Sequence, residues 1–199
     1  MSATMPTPRT DLDAALRARL AARYAEPARR YHTLAHIDAL LGAFAQWRHL
    51  AREPEAIVAA IWFHDAIYDP QRRDNEARSA ELARDELATL GWSRDAIERV
   101  ALLVLATAHH DADAADADAW LFLDLDLSVL ALDPARYAAY RDAVRAEYAF
   151  VDETRYRAGR AAVLRSFIER AAIYRTPALH AAWEHAARAN LAAELDALA

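Results

Sequence analysis

One segment limits the folds open to this chain more than any other: PEAIVAAIWFHD, residues 54–65. Ile57, Val58, Ile61, Trp62 and Phe63, with Ala56, Ala59 and Ala60 between them, leave almost no polar face at helical periodicity. A helix that is apolar on most sides is stable only when other elements surround it. Pro54 suits the first turn of such a helix. The run then ends in His64 and Asp65. Adjacent helical side chains diverge by roughly 100°, so two inward polar groups here each need a partner. An unpaired buried carboxylate would be costly. A metal ion satisfies both groups at once; an Asp that caps or hydrogen-bonds the following loop is the alternative.

The layers around that helix are also helical. Leu12, Leu16 and Leu20 mark an amphipathic helix from Asp11 to about Tyr24, and Leu34, Ile37, Leu40, Leu41 and Phe44 mark another from about Thr33 to Leu50. YDPQRRDN (68–75) reads as a loop, followed by a helix from Glu76 to Leu90 that ends at Gly91. Ser93 caps the next, over 94–109. The acidic stretch 109–120 has a solvated loop at its middle. LFLDLDLSVLAL (121–132) alternates as a strand would. One isolated strand would have nothing to pair with, so helix is the expectation. Asp133 with Pro134, and Thr176 with Pro177, cap later helices; the last three run over 134–151, 154–174 and 178–197. With only 3 Gly in 199 residues, the expected fold is all-α, a single-domain bundle of about eight or nine helices over residues 11–199. Residues 1–10, with two prolines, read as a flexible arm.

Composition closes several routes. There is no Cys, which excludes disulfides, thiolate metal sites and Cys nucleophiles. Any metal must use His, Asp, Glu and water. The chain has no Lys, so its 24 basic residues are all Arg, and its formal charge is −6. Bulk attraction to a nucleic-acid polymer or an anionic membrane is not expected. No signal-like N-terminus and no apolar run of membrane-spanning length is present, so the expected location is cytoplasmic.

Polar residues in apolar surroundings recur outside the central segment. His32 and His36 are four apart in RYHTLAH, a spacing that on a helix presents two imidazoles to one metal; a His at a helix start can equally be a capped or exposed residue. Asp124 and Asp126 interrupt the apolar 121–132 run. Carboxylates there need a cation, Arg partners or solvent. His109 and His110 end a helix, where an imidazole also favours the helix dipole. A hard or borderline divalent ion with mixed nitrogen and oxygen ligands accounts for all these placements together.

The ordered set His36, His64-Asp65 and a later Asp in DLDL resembles the HD superfamily of metal-dependent phosphohydrolases. The surrounding stretches YHTLAHI, WFHDAIYDPQRRDNEARSAELA, FLDLDLSVL, YRDAVRAEY and AARANLAAEL look like a bacterial group of predicted members. The likeness spans about residues 12–197. It implies an HD-type helical bundle in which His36, His64, Asp65 and Asp126 hold one divalent ion (Mn, Fe, Co, Ni, Zn or Mg), with Asp124 in reserve. It admits a second ion through His109 or His110. It implies a small-molecule phosphate substrate, expected to be a nucleotide, attacked by metal-activated water. Asp65 would then orient that water and Glu76, beside Asn75, would act as general acid or base. His32 would contact substrate or support the ligands. Arg72, Arg73, Arg141 and Arg145 are candidates for neutralising phosphate, because a guanidinium fork matches its oxygens. Surface charge balance is the competing reading of those arginines. A dinuclear-iron oxygenase and a non-catalytic nucleotide-binding regulatory module are the alternatives. Trp183 and the Ala-rich last helix can pack on the domain itself or form a homodimer.

Overall fold

The computed structural model describes residues 12–198; the arm expected at residues 1–10 lies outside them. Nine α-helices follow in order: α1 (Ala14–Tyr24), α2 (Leu34–Trp47), α3 (Pro54–Phe63), α4 (Asn75–Thr89), α5 (Arg94–Ala106), α6 (Ala117–Asp126), α7 (Pro134–Glu147), α8 (Glu153–Ile168) and α9 (Pro177–Leu198). Short 3₁₀ segments extend α2 through Arg48–Leu50 and α6 through Leu127–Ala131. Among the described residues there is no strand, and no helix is long and apolar enough to cross a membrane. The 121–132 run is helix and 3₁₀ turn, buried all round from Ala119 to Leu125.

α3 is the central element. It packs against α1, α2, α4, α5 and α6, and Ala56, Ile57 and every residue from Ala59 to Phe63 are buried. A buried helix end must find partners for its last carbonyls. Here the imidazole Nδ1 of His64 meets Ile61 O at 2.9 Å, and the Tyr24 hydroxyl donates to Trp62 O at 2.9 Å. Those two carbonyls would otherwise receive the amides of residues 65 and 66. Ala66 N turns instead to Phe63 O at 3.0 Å, so the helix stops at Phe63 and His64-Asp65 form its exit. The expected helix through Asp65 is therefore two residues too long.

Other expectations change or sharpen. His32 is not on α2, because the amides of Arg30, Tyr31 and His32 all donate to Glu147 Oε1, at 2.7, 2.8 and 2.9 Å. His32 and His36 thus do not share a helical face. The acidic stretch is solvated over 111–115, but its end is structural. Asp116 caps α6 and pairs with Arg99, and Asp118 is buried, accepting the amides of Arg52 and Glu53. α8 ends at Ile168, six residues before the expected end at 174. The connector that follows is held by Glu184, which accepts the amides of Ile173 and Tyr174, and by Asp124. Thr176, expected to cap α9, has its hydroxyl buried without a partner.

α9 packs on α8 and on the 3₁₀ turn after α6. Trp183 stands edge-on to Tyr174 and Trp47, with ring centroids 5.5 and 6.2 Å away. This tryptophan serves the domain's own packing.

Candidate metal centre

The exits of α3 and α6 and the first turn of α2 meet at one point. His36 Nε2 lies 3.3 Å from His64 Nε2 and 3.2 Å from Asp126 Oδ1. His64 Nε2 is 3.0 Å from Asp65 Oδ2 and 3.5 Å from Asp126 Oδ1. His36 Nε2 is 3.9 Å from Asp65 Oδ2. Adjacent ligands about 2.1 Å from a common ion stand roughly 3.0–3.4 Å apart. His36, His64 and Asp65 form a group able to hold a metal ion, their donor atoms all within 4.8 Å of one another. Asp126 approaches both imidazoles from α6.

The imidazoles are oriented for that task. With its Nδ1–H given to the Ile61 carbonyl, a neutral His64 keeps its lone pair on Nε2, facing the other donors. His36 Nδ1 lies 3.2 Å from the Tyr31 hydroxyl. Hydrogen bonding at the far ring nitrogen is how proteins fix the tautomer of a ligating His. Both His are buried, while Asp65 and Asp126 keep 18% and 13% of their side-chain surface open to the cavity beyond. Burial alone would push the His64 pKa down, but Asp65 and Asp126 outweigh it and hold it well above the ordinary value. Burial likewise opposes ionisation of the two carboxylates. The neighbouring imidazoles, His64 first, nevertheless keep Asp65 and Asp126 below the usual range. Without an ion, a protonated His64 balances these carboxylates; a divalent ion with two neutral imidazoles and two carboxylates would fit the same donor set.

No protein-family model, curated protein or solved structure matches this chain.

The cluster opens into a cavity of about 630 Å³. Glu76, half-buried in the first turn of α4, lines it. Asn75 does too, but its amide is spent on the loop: it accepts from Asp69 N at 3.1 Å and donates to Asp69 O at 2.9 Å. Arg72 reaches the rim with its guanidinium paired to Asp74, at 2.7 and 2.6 Å. Arg73, Arg141 and Arg145 are not among the cavity's walls. Arg145 instead binds Glu153 and the carbonyls of Tyr148 and Val151. Asp124 points the other way: its carboxylate accepts the amides of Arg175 and Thr176 at 3.0 and 2.6 Å. Burial raises its pKa to about 6 despite those bonds. Of the adjacent pair, only His110 reaches the cluster, its Nε2 3.0 Å from Asp126 Oδ2. It does so from a backbone φ of 47°, uncommon for a residue with a side chain. Arg170 steadies that turn by donating to the carbonyls of His110 and His109, at 3.0 and 3.2 Å.

Two supports escaped the sequence reading. Glu147 holds the His32 end of the site: besides three amides it meets His32 Nδ1 at 2.6 Å and accepts the Tyr68 hydroxyl at 3.0 Å. Burial works against its charge, yet the His32 hydrogen bond lowers its pKa to about 2, and Asp65 and Glu147 together raise that of His32 against burial. Arg29, 4% exposed, donates to the carbonyls of His32, Asp65 and Ala66. It ties the loop before α2 to the exit of α3. The motif RRYH hints at both, but Glu147 sits over a hundred residues away in a stretch that looks like a charged surface.

Proposed function

We propose that the chain is a metal-dependent phosphohydrolase acting on a small phosphate ester, related in mechanism to the HD superfamily. The observation that carries this is the convergence of His36, His64, Asp65 and Asp126 at the floor of an open cavity. A single divalent ion bound there would supply Lewis acidity toward a phosphoryl oxygen and bring a water closer to ionisation at neutral pH.

The chain's own residues have the remaining work. Phosphoryl transfer needs in-line placement of water, a group to take its proton, and compensation of the equatorial charge. Asp65, at the cavity edge of the cluster, can orient the water as well as ligate. Glu76 lines the same cavity and is the candidate proton acceptor. His32, backed by Glu147, and Arg72 on the rim are positive groups that can face an arriving phosphate; Arg160 and Arg170 also line the cavity, but Glu194 and the carbonyls of His109 and His110 occupy them. His110 buttresses Asp126 through the oxygen that does not face His36 and His64.

Phosphate release from a panel of nucleotides and simpler esters, with Mn²⁺, Co²⁺ or Mg²⁺, tests the proposal. Turnover that disappears in His64→Ala is expected. No turnover with any metal-loaded sample would contradict it and favour the regulatory-module reading. Because His110 adjoins Asp126, the iron count per chain and the dependence on O₂ test the oxygenase reading: two irons and consumption of O₂ would support it.

A further inference from the structure

A second chamber of about 440 Å³ lies against the metal-side cavity, between α7 and α8. The two share walls, including Tyr31, His32, Tyr140 and Tyr148. Each volume falls in the range of small-molecule sites, roughly 300–1,000 Å³. Their chemistry differs. The first is lined by His, Asp, Glu and Arg as well as apolar groups. The second is walled by Tyr140, Tyr148 and Tyr156 with Val144, Val151 and Val163, and no carboxylate residue lines it.

Two of its polar side chains, Arg160 and Tyr31, are already engaged. Arg160 gives Nε and Nη2 to Glu194 and Nη1 to the Tyr140 hydroxyl, at 2.8, 3.1 and 3.2 Å. The Tyr31 hydroxyl faces His36, and Arg145, which is not one of the chamber's walls, places its guanidinium 4.5 Å from the Tyr156 ring centroid. Arg155 sits exposed at the rim beside Asp152. What an occupant meets is mostly ring face and aliphatic surface, with the Tyr148 and Tyr156 hydroxyls among it. A sugar or polyol would leave most of its hydroxyls without partners there, which costs binding. The cations on its wall, His32 and Arg160, are held by Glu147 and Glu194, and Arg155 stands at the solvent rim. A flat, uncharged ring would stack on tyrosine and displace water from apolar wall.

We propose that this chamber is the subsite for an aromatic group of the substrate, an aryl or nucleobase ring, whose phosphate end reaches the metal side past Tyr31 and His32. The inference rests on the proposed function for where the phosphate sits, but not for the ring. Gly159 marks the wall: a Cβ added there would meet nothing within 4 Å, so a larger side chain can enter the chamber. It is in α8, where replacing Gly removes a helix penalty and leaves the fold intact. Val163, one turn on and 47% exposed, offers a second position.

The test uses phosphonates, whose carbon–phosphorus bond is not an ester. Calorimetric titration compares phenylphosphonate with methylphosphonate on wild type, Gly159→Leu, Val163→Trp and the metal-depleted His64→Ala. Wild type should bind the phenyl compound at least tenfold more tightly than the methyl one. Gly159→Leu and Val163→Trp should reduce that preference to within about twofold, while retaining the wild-type metal content. His64→Ala should weaken both ligands and keep the preference. Equal affinities in metal-bearing wild type would overturn the ring subsite and leave the metal reading standing. So would a preference that both wall variants retain. A ring preference sensitive to Gly159→Leu, in a wild type that holds no metal, would support the subsite and overturn the metal reading instead.

Discussion

Glu147 is 5% exposed, and its two oxygens face five donors: the amides of Arg30, Tyr31 and His32, the His32 ring and the Tyr68 hydroxyl. Asp65 and Asp126, which line the cavity, face imidazole nitrogens only. The other inward carboxylates follow Glu147. Asp118 and Asp124 each accept two backbone amides, and Glu194 accepts Arg160 and Tyr137. A carboxylate matched by donors of its own chain is a structural tie. One matched by ring nitrogens that are themselves potential ligands is poised for a cation. The contrast separates carboxylates that tie the fold from the pair on which the proposed metal site rests.

Exchanging single groups should break the two regions in different ways. The largest effect belongs to the cluster: Asp65→Ala and His64→Ala should each lower activity by more than about 100-fold, since even outer partners of metal ligands cost 10–100-fold. Steady-state turnover measures it. Next comes stability. Glu147→Ala strands several donors in a buried place and should cost about 3–5 kcal/mol in chemical denaturation, whereas Asp65→Asn in metal-depleted protein should cost far less. Similar losses in the two variants would erase the distinction.

Acid should act on the tie in a defined window. The folded-state pKa of Glu147 is about 2, against an ordinary value of 4.5. Its contribution is complete above about pH 5 and fades as pH falls from there toward 2. The raised pKa of His32 works from the other side: its contribution is full below the ordinary 6.5 and fades as pH climbs through the folded value. Melting curves of Glu147→Gln should show a shallower acid slope than wild type. The smallest effect is expected from Arg73→Ala, exposed and outside the cavity walls. It should change stability by less than about 0.5 kcal/mol and leave turnover unaltered.

Legibility in the sequence followed the range of the interactions. The helical bundle and the central position of α3 came from apolar periodicity, which is local. His36, His64, Asp65 and Asp126 stood out because each interrupts an apolar run. Of the two, Asp126 lies beside His36 and His64, whereas Asp124 serves the connector before α9. That connector lies 51–52 residues downstream, too far for any local pattern to register. Glu147 was illegible for the same reason: its partners at 30–32 are 115–117 residues away, and its own neighbours read as a charged helix face. Arg145 shows the converse, a residue whose type suggested phosphate but whose local bonds to Tyr148, Val151 and Glu153 occupy it.

The central claim is that four side chains hold one divalent ion. Elemental analysis of protein loaded in turn with Mn²⁺, Fe²⁺, Co²⁺, Ni²⁺, Zn²⁺ and Mg²⁺, then dialysed, tests it against His64→Ala. One ion per wild-type chain with at least one metal, and close to none in the variant, is the predicted result. No retained ion in wild type, or equal retention in both proteins, would contradict it.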